Sequence, residues 1–354
     1  DMQVNGSIWA QYWTQTPVAS QYIAFEQYAP GQDAFSTPWE NLYRAAENFY
    51  QLYKLADSQK SKTYKAVALL MQAYTFQVIA DAWGDVPFKY ALQGQYIDSH
   101  IVSPKYDSQS VVYNGIISYI DSAKKLIGTT SMTSNNGDLI YGGDMNKWLK
   151  FANTLKLKVL LRLAYVDPAG TQIRIDSFYA QNPVLIGNGD DAVLNVYGGN
   201  TNNKSPLYAE ASSTTLGGIQ NLGGSATAID SFNSNNDPRG YIFYETNNTG
   251  ALSGITQGNY DISLPGGSYS IPHVYVAGDA QDSRSGNAPV NLLTSWESFF
   301  MQAEVVARGW QPSSSGYTED SLFYHGIKAN FDYTYYSSAL VTEWGSGTAY
   351  SDYM

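Results

Sequence analysis

The chain has no cysteine, which excludes disulfides, thiolate metal sites and a cysteine nucleophile. It has only three histidines, His100, His273 and His325. They stand far apart and in neither HxxxH nor HxH spacing, so no zinc site is expected. Charge is scarce as well. Asp, Glu, Lys and Arg together make up 14% of the 354 residues, and acidic side chains outnumber basic ones 31 to 20 for a net charge of -11. Such a chain lacks the basic footprint that nucleic acid requires, and an anionic membrane surface would repel it. No apolar run approaches the length of a membrane span. GxSxG, GxGxxG and GxxxxGK followed by Ser or Thr are all absent, which removes a hydrolase nucleophile elbow and the Gly-rich phosphate cradles. The opening Asp1-Met2 carries no signal-peptide pattern, and reads as the start of a mature or trimmed chain.

Rings are plentiful instead: 30 Tyr and eight Trp. Aromatic faces stack on the apolar faces of sugars, while hydroxyls and amides bond to sugar hydroxyls. The same rings also fill helical cores, so each needs its own argument. A chain of this length can bury a large core.

The stretch Ser61 to Phe88 is the most strongly patterned. Val67, Leu70, Met71, Tyr74 and Val78 form one apolar stripe at helical spacing, and Leu69, Phe76, Ile79 or Ala80, and Trp83 form a second. Two stripes predict a helix packed on two sides, as in stacked helical hairpins. Gly84 closes the helix and Pro87 forbids its continuation. Upstream, Thr37 is placed to cap a helix over Pro38 to Leu55 with Pro38 at its first position. Asp107 is placed to cap Ser108 to Ile127. Thr129 to Gly143 reads as loop, Met145 to Tyr165 as helix, and Thr171 to Gln181 as a further short helix. Periodicity then fails from Pro183 to Asn291, where a compact insert with short helices and a few strands is expected, Ser225 to Asn233 being helical. Pro289 to Trp310 carries a capping box, Thr294 with Glu297, and an Glu304–Arg308 pair one turn apart.

Several of these segments also carry a resemblance. ADAWGDVPF (Ala80 to Phe88), WENLYRAAENFYQLYK in the helix from Pro38, the helix Met145 to Tyr165, NDPR (Asn236 to Arg239), Pro289 to Trp310 and Leu322 to Tyr333 each resemble motifs of the SusD/RagB family, in matching order. The resemblance covers most of residues 30 to 333. It implies a mainly α fold: one SusD-like domain over 1–354 with tetratricopeptide-like helical hairpins at about 38–83, 107–165 and 292–333 and a long loop-rich insert at about 183–291. It further implies a non-catalytic, surface-exposed outer-membrane lipoprotein that captures oligosaccharides and passes them to a TonB-dependent transporter, with no cofactor and no nucleic acid. The family's lipidated N-terminal Cys is absent from this chain, and the family's further C-terminal helices are replaced by a Gly/Ser/Tyr-rich run, so the chain is either partial or divergent there.

In the family, glycan is held by aromatic and amide side chains on loops over the helices. By position, the loop before the Pro38 helix offers Tyr28, Gln32, Asp33 and Phe35, and the insert offers Tyr197, Asn203, Tyr208 and Tyr269. Trp39 reads as core. A helical scaffold that binds a peptide or protein is a second reading, and a helical glycosidase a third. The third needs two carboxylates roughly 5–9.5 Å apart. Glu297 and Glu304 lie about 10 Å apart along one helix and have structural roles in the cap and the arginine pair. Asp85 reads as a brace for its turn. Asp190-Asp191 is open between a solvated turn and a weak cation site. Lys147, Lys150, Lys158 and Arg162 fall near one helix face, either solvated or a docking surface for an acidic partner.

Overall fold

Helices dominate the protein, here in a computed structural model. It describes residues 2–94, 101–128, 137–198, 202–212, 218–259, 262–310 and 318–337. His100, residues 129–136 of the loop predicted from Thr129, and the C-terminal run lie outside these. In chain order the elements are α1 (Met2–Trp9), β1 (Trp13–Gln15), α2 (Ile23–Glu26), α3 (Ser36–Ser58), α4 (Lys62–Trp83), β2 (Val86–Pro87), β3 (Tyr106–Asp107), α5 (Gln109–Ile127), α6 (Met145–Arg162), α7 (Pro168–Tyr179), β4 (Ala192–Leu194), α8 (Pro206–Ala211), β5 (Leu222–Gly224), α9 (Ala226–Ser234), α10 (Gly240–Phe243), β6 (Val290–Leu293), α11 (Ser295–Ala307) and α12 (Glu319–Ser337). Two compact units emerge from the contacts: residues 38–192 with 292–327, and residues 1–37 with 193–291 and 328–354.

The first of these is the helical scaffold. α4 is its centre and is buried almost all round: Leu69, Leu70, Met71, Phe76, Ile79 and Ala80 are core, and so are Ala66, Ala68 and Ala73. The alanines explain why the two stripes merge, because small side chains let α5 approach closely. Gly115 on α5 extends this: a Cβ there would collide with the Phe88 ring. α5 packs on α4, α6 on α5, and α7 and α11 on α6. Trp148, Phe151, Ile116, Ile120 and Leu155 are fully buried among them, each contributing about 1.5–3 kcal/mol by burial. Trp39 is half-buried against Tyr43, Trp83 and Tyr106, with centroids 4.7, 5.3 and 6.3 Å away.

Caps and pairs fix the ends. Gly84 takes φ +75° and donates its N–H to Ala80 O at 2.9 Å, a conformation glycine adopts without a Cβ clash. The predicted capping of α5 is corrected. Asp107 accepts instead from the N–H groups of Phe88 and Lys89, at 3.3 and 2.8 Å, and Asp85 accepts from Gln109 N at 2.8 Å. Antiparallel pairing of β2 with β3, Val86 opposite Asp107, sets the two aspartates across one another. Thr37 is no cap either. α3 starts two residues earlier than predicted, at Ser36, whose N–H and hydroxyl both donate to Asp33 O. Asp144 and Asp167 cap α6 and α7. Of the predicted capping box one arm forms, Thr294 accepting from Glu297 N, while the Glu297 carboxylate turns to Lys158. Glu304 pairs with Arg308 at 2.7 Å, as the spacing predicts.

The basic face of α6 is spent inside the fold. Lys150 pairs with Asp190 at 2.8 Å, Lys156 with Asp121 at 2.6 Å and Lys158 with Glu297 at 2.8 Å. Lys147 donates to Gly189 O at 2.7 Å, and Arg162 grips Asp81, with Nε at 2.7 Å. Asp81 also accepts from Tyr113 and Gln77. A row of cations answered this way is a clamp between helices and not a free docking surface.

The other unit holds the insert and the N-terminal arm. β1 pairs antiparallel with β5, Thr14 opposite Gly223, across more than two hundred residues of chain. Val4, Ile8, Trp13, Tyr22, Leu207, Tyr208, Leu222, Ile229 and Tyr244 form its core. The predicted helix at Ser225 is α9, preceded by Ser225.

Candidate functional site

A cluster of rings lies on the N-terminal arm, with Trp9 and Tyr28 exposed. α1 ends on Trp9, whose indole N–H donates to Phe25 O at 2.8 Å and so fixes the ring. Just past α2, Tyr28 takes φ +53°, a turn geometry uncommon for a bulky residue and of the kind that gathers at functional positions. It lays its ring parallel to Trp9, 11° between planes and 6.3 Å between centroids. Phe35 closes the group, 6.0 Å from Trp9 and 5.9 Å from Phe25. Tyr28 is 71% exposed and Trp9 39%. Two stacked rings with this much solvent contact form a platform rather than a core.

A buried carboxylate holds the platform from below. Glu26, 8% exposed, accepts from the Thr14 hydroxyl, from Gln15 N at 2.6 Å and from Gly258 N at 3.2 Å. The Gln15 amide accepts from Tyr22 N at 2.6 Å and donates to Asn221 O at 3.1 Å. Tyr22 donates its phenol to Glu210 at 3.0 Å, and burial, helped by that carboxylate, raises the phenol well above its ordinary range. A satisfied polar network of this kind fixes one geometry, so the rings above are pre-organised.

Of the positions expected from the sequence, Tyr28 and Phe35 are in the platform, and Gln32 and Asp33 are exposed on the connecting turn between them. Tyr197 is half-buried, its phenol raised by burial. Asn203 makes two local bonds: its side-chain amide donates to Val196 O at 2.5 Å, and its backbone carbonyl accepts from Gly198 N at 2.8 Å. Tyr208 and Tyr269 are each 7% exposed. Tyr208 packs in the same core as Tyr22, and the Lys204 ammonium lies 5.2 Å from its ring centroid. Neither buried tyrosine presents a free face. Sequence reasoning passed over Trp9. The signal available was the density of rings between residues 9 and 35, without a mark for which ones face out.

The same unit has a cavity of about 340 Å³ walled by Tyr12, Trp13, Phe232, Phe243, Tyr244 and Arg239. Ser7 of α1 also lines it, and Ser7 and Trp9 lie about 200° apart around a helix, so cavity and platform use opposite sides of α1. Arg239 belongs to the NDPR turn. Its guanidinium is occupied by Asp237, with Nε 3.0 Å from Oδ1, by Asn330 at 2.7 Å and by the face of Phe331 at 4.2 Å. Among the described residues no group of His, Asp and Glu is arranged to hold a metal ion. Glu297 and Glu304 are both salt-bridged.

The fold is shared with known structures. A chitin-binding protein superposes with TM-score 0.77 at 22% identity, covering 98% of this chain and 72% of that one. A SusD/RagB family protein from Bacteroides thetaiotaomicron gives 0.76 at 21% identity, covering 99% and 75%. A chitin-binding SusD homolog from Flavobacterium johnsoniae gives 0.74 at 22%, covering 96% and 67%. No curated protein matches the sequence. The family model described as "Starch-binding associating with outer membrane" matches residues 2–353, and the chain therefore belongs to this SusD-like family.

Proposed function

We propose that this chain is a non-catalytic glycan-binding protein of the outer membrane, which captures oligosaccharides on the Trp9–Tyr28–Phe35 platform and hands them to a TonB-dependent transporter. The observation that carries the reading is the stacked, solvent-facing pair of Trp9 and Tyr28 on a braced arm. Sugar rings bind such faces by stacking, with Gln32 and Asp33 placed to bond hydroxyls. Tyr208 and Tyr269 serve in this reading as buried support, and Tyr197 and Asn203 as a flanking loop. Relatives of the fold are named for chitin binding and the family for starch binding, which makes these two polymers the first to test. Delivery to a transporter and attachment through a lipid rest on family membership. Calorimetry with chitin- and starch-derived hexamers tests the reading: micromolar-to-millimolar binding that is lost in Trp9→Ala supports it, and failure of every neutral glycan to bind the folded protein sinks it.

A further inference from the structure

The unit that carries the platform is strongly one-sided in charge. Residues 1–37 contain no Lys, Arg or His at all. The whole unit that carries the platform has four cations, Lys204, Arg239, Arg284 and Lys328, against thirteen Asp and Glu, which leaves it nine negative out of the chain's net -11. Every one of the four is engaged. Arg239 is forked onto Asp237 and Arg284 onto Asp282, both at 2.5 Å, and Lys328 lies 2.7 Å from Asp332. Lys204 lies over the Tyr208 ring. His273, its pKa lowered to about 4 by burial and by Arg284, adds no charge near neutrality.

Proteins hold uronates and sulfate esters through unspent guanidinium or ammonium groups, which meet the anion with charge-assisted bonds. Here the forks are filled by the chain's own carboxylates. A polyanion approaching the unit also meets a repulsive field, felt within a Debye length of about 8 Å at physiological salt.

Resting on the glycan-binding reading, we infer that the platform selects uncharged oligosaccharides and rejects those bearing uronate or sulfate groups. The specificity comes from the unit's net negative charge and from the engagement of each of its four cations by a group of the chain itself, leaving stacking and hydrogen bonds to hydroxyls as the means of recognition.

The test is calorimetry of the intact chain with maltohexaose and chitohexaose beside hexagalacturonate and a heparin hexasaccharide, at about 50 and about 500 mM NaCl. The expected result is binding of at least one neutral hexamer, unchanged within about twofold by salt, with both anionic hexamers at least about tenfold weaker. An anionic hexamer that binds within tenfold of the best neutral one, or a neutral affinity that collapses in high salt, overturns the inference while leaving glycan binding intact. No binding of any hexamer overturns the glycan reading itself.

Discussion

Asp85 and Asp107 each cap the segment that the other precedes. Asp85 takes the N–H of Gln109 at the start of α5, and Asp107 takes the N–H groups of Phe88 and Lys89 beyond β2. The crossing ties the end of α4 to the start of α5, where the scaffold changes direction. Asp85→Ala and Asp107→Ala are each expected to cost about 1 kcal/mol. The double variant should cost less than the sum, since both act on one junction. Urea unfolding of the four proteins checks this, and strict additivity would show the two contacts to be independent.

Tyr28→Ala and Trp9→Ala separate binding from folding. Tyr28 is mostly in water, so its loss should change stability by no more than about 0.5 kcal/mol. Glycan affinity should fall about tenfold or more, equivalent to about 1.4 kcal/mol. Matched circular dichroism melts and titrations read the two effects apart.

Gly115→Ala sets helix propensity against packing. On an open helix the change would gain about 1 kcal/mol. At this position the new methyl meets the Phe88 ring, and overpacking costs about 1–3 kcal/mol. A lower melting temperature is expected, and a higher one would mean that Phe88 moves aside freely.

Asp81 takes donors from Tyr113, Gln77 and Arg162. Arg162→Ala leaves the first two in place and should cost about 1 kcal/mol. Asp81→Ala strands all three donors on helices α4, α5 and α6 and should cost about 2–3 kcal/mol. Equal losses in denaturant titrations would contradict this ranking.

His273 gives a pH signature. Its Nδ1 accepts from Tyr275 N at 3.2 Å, and Nε2 faces Glu245 at 3.2 Å. Burial, with Arg284 nearby, lowers its pKa to about 4. The unfolded chain, with an ordinary value of about 6.5, therefore binds more protons between those limits. Stability rises with pH across that window and is lost as pH falls through it, by up to about 3 kcal/mol. Glu245, raised by its own burial, acts in the opposite sense and trims the effect. The difference in stability between the native chain and His273→Asn, followed from about pH 7 to about pH 4, should narrow on acidification, and a constant difference would refute the assignment.

The scaffold was legible because periodicity, caps and glycines speak locally. The stripes of α4, the Thr294–Glu297 cap and the Glu304–Arg308 pair are all set by residues a few positions apart. Asp107 misled because its partner is fixed by a strand pairing that brings residue 86 opposite residue 107, which no local rule reports. The basic residues of α6 look like a surface until Asp81, Asp121, Asp190 and Glu297 arrive from elsewhere in the chain. Rings are the least legible of all. Tyr28 and Tyr208 are chemically alike, yet one is in water and the other in the core, because the difference lies in what the distant segments around residues 222 and 244 cover.

The pairing of Trp13–Gln15 with Leu222–Gly224 sets a timetable for the growing chain. The first strand has nothing to join until more than two hundred further residues have been synthesised, and Glu26 waits longer still for Gly258. The arm that bears Trp9 and Tyr28 is thus made well before the segments that complete it. During that interval its aromatic side chains are bare, and they need shelter from one another and from neighbouring chains.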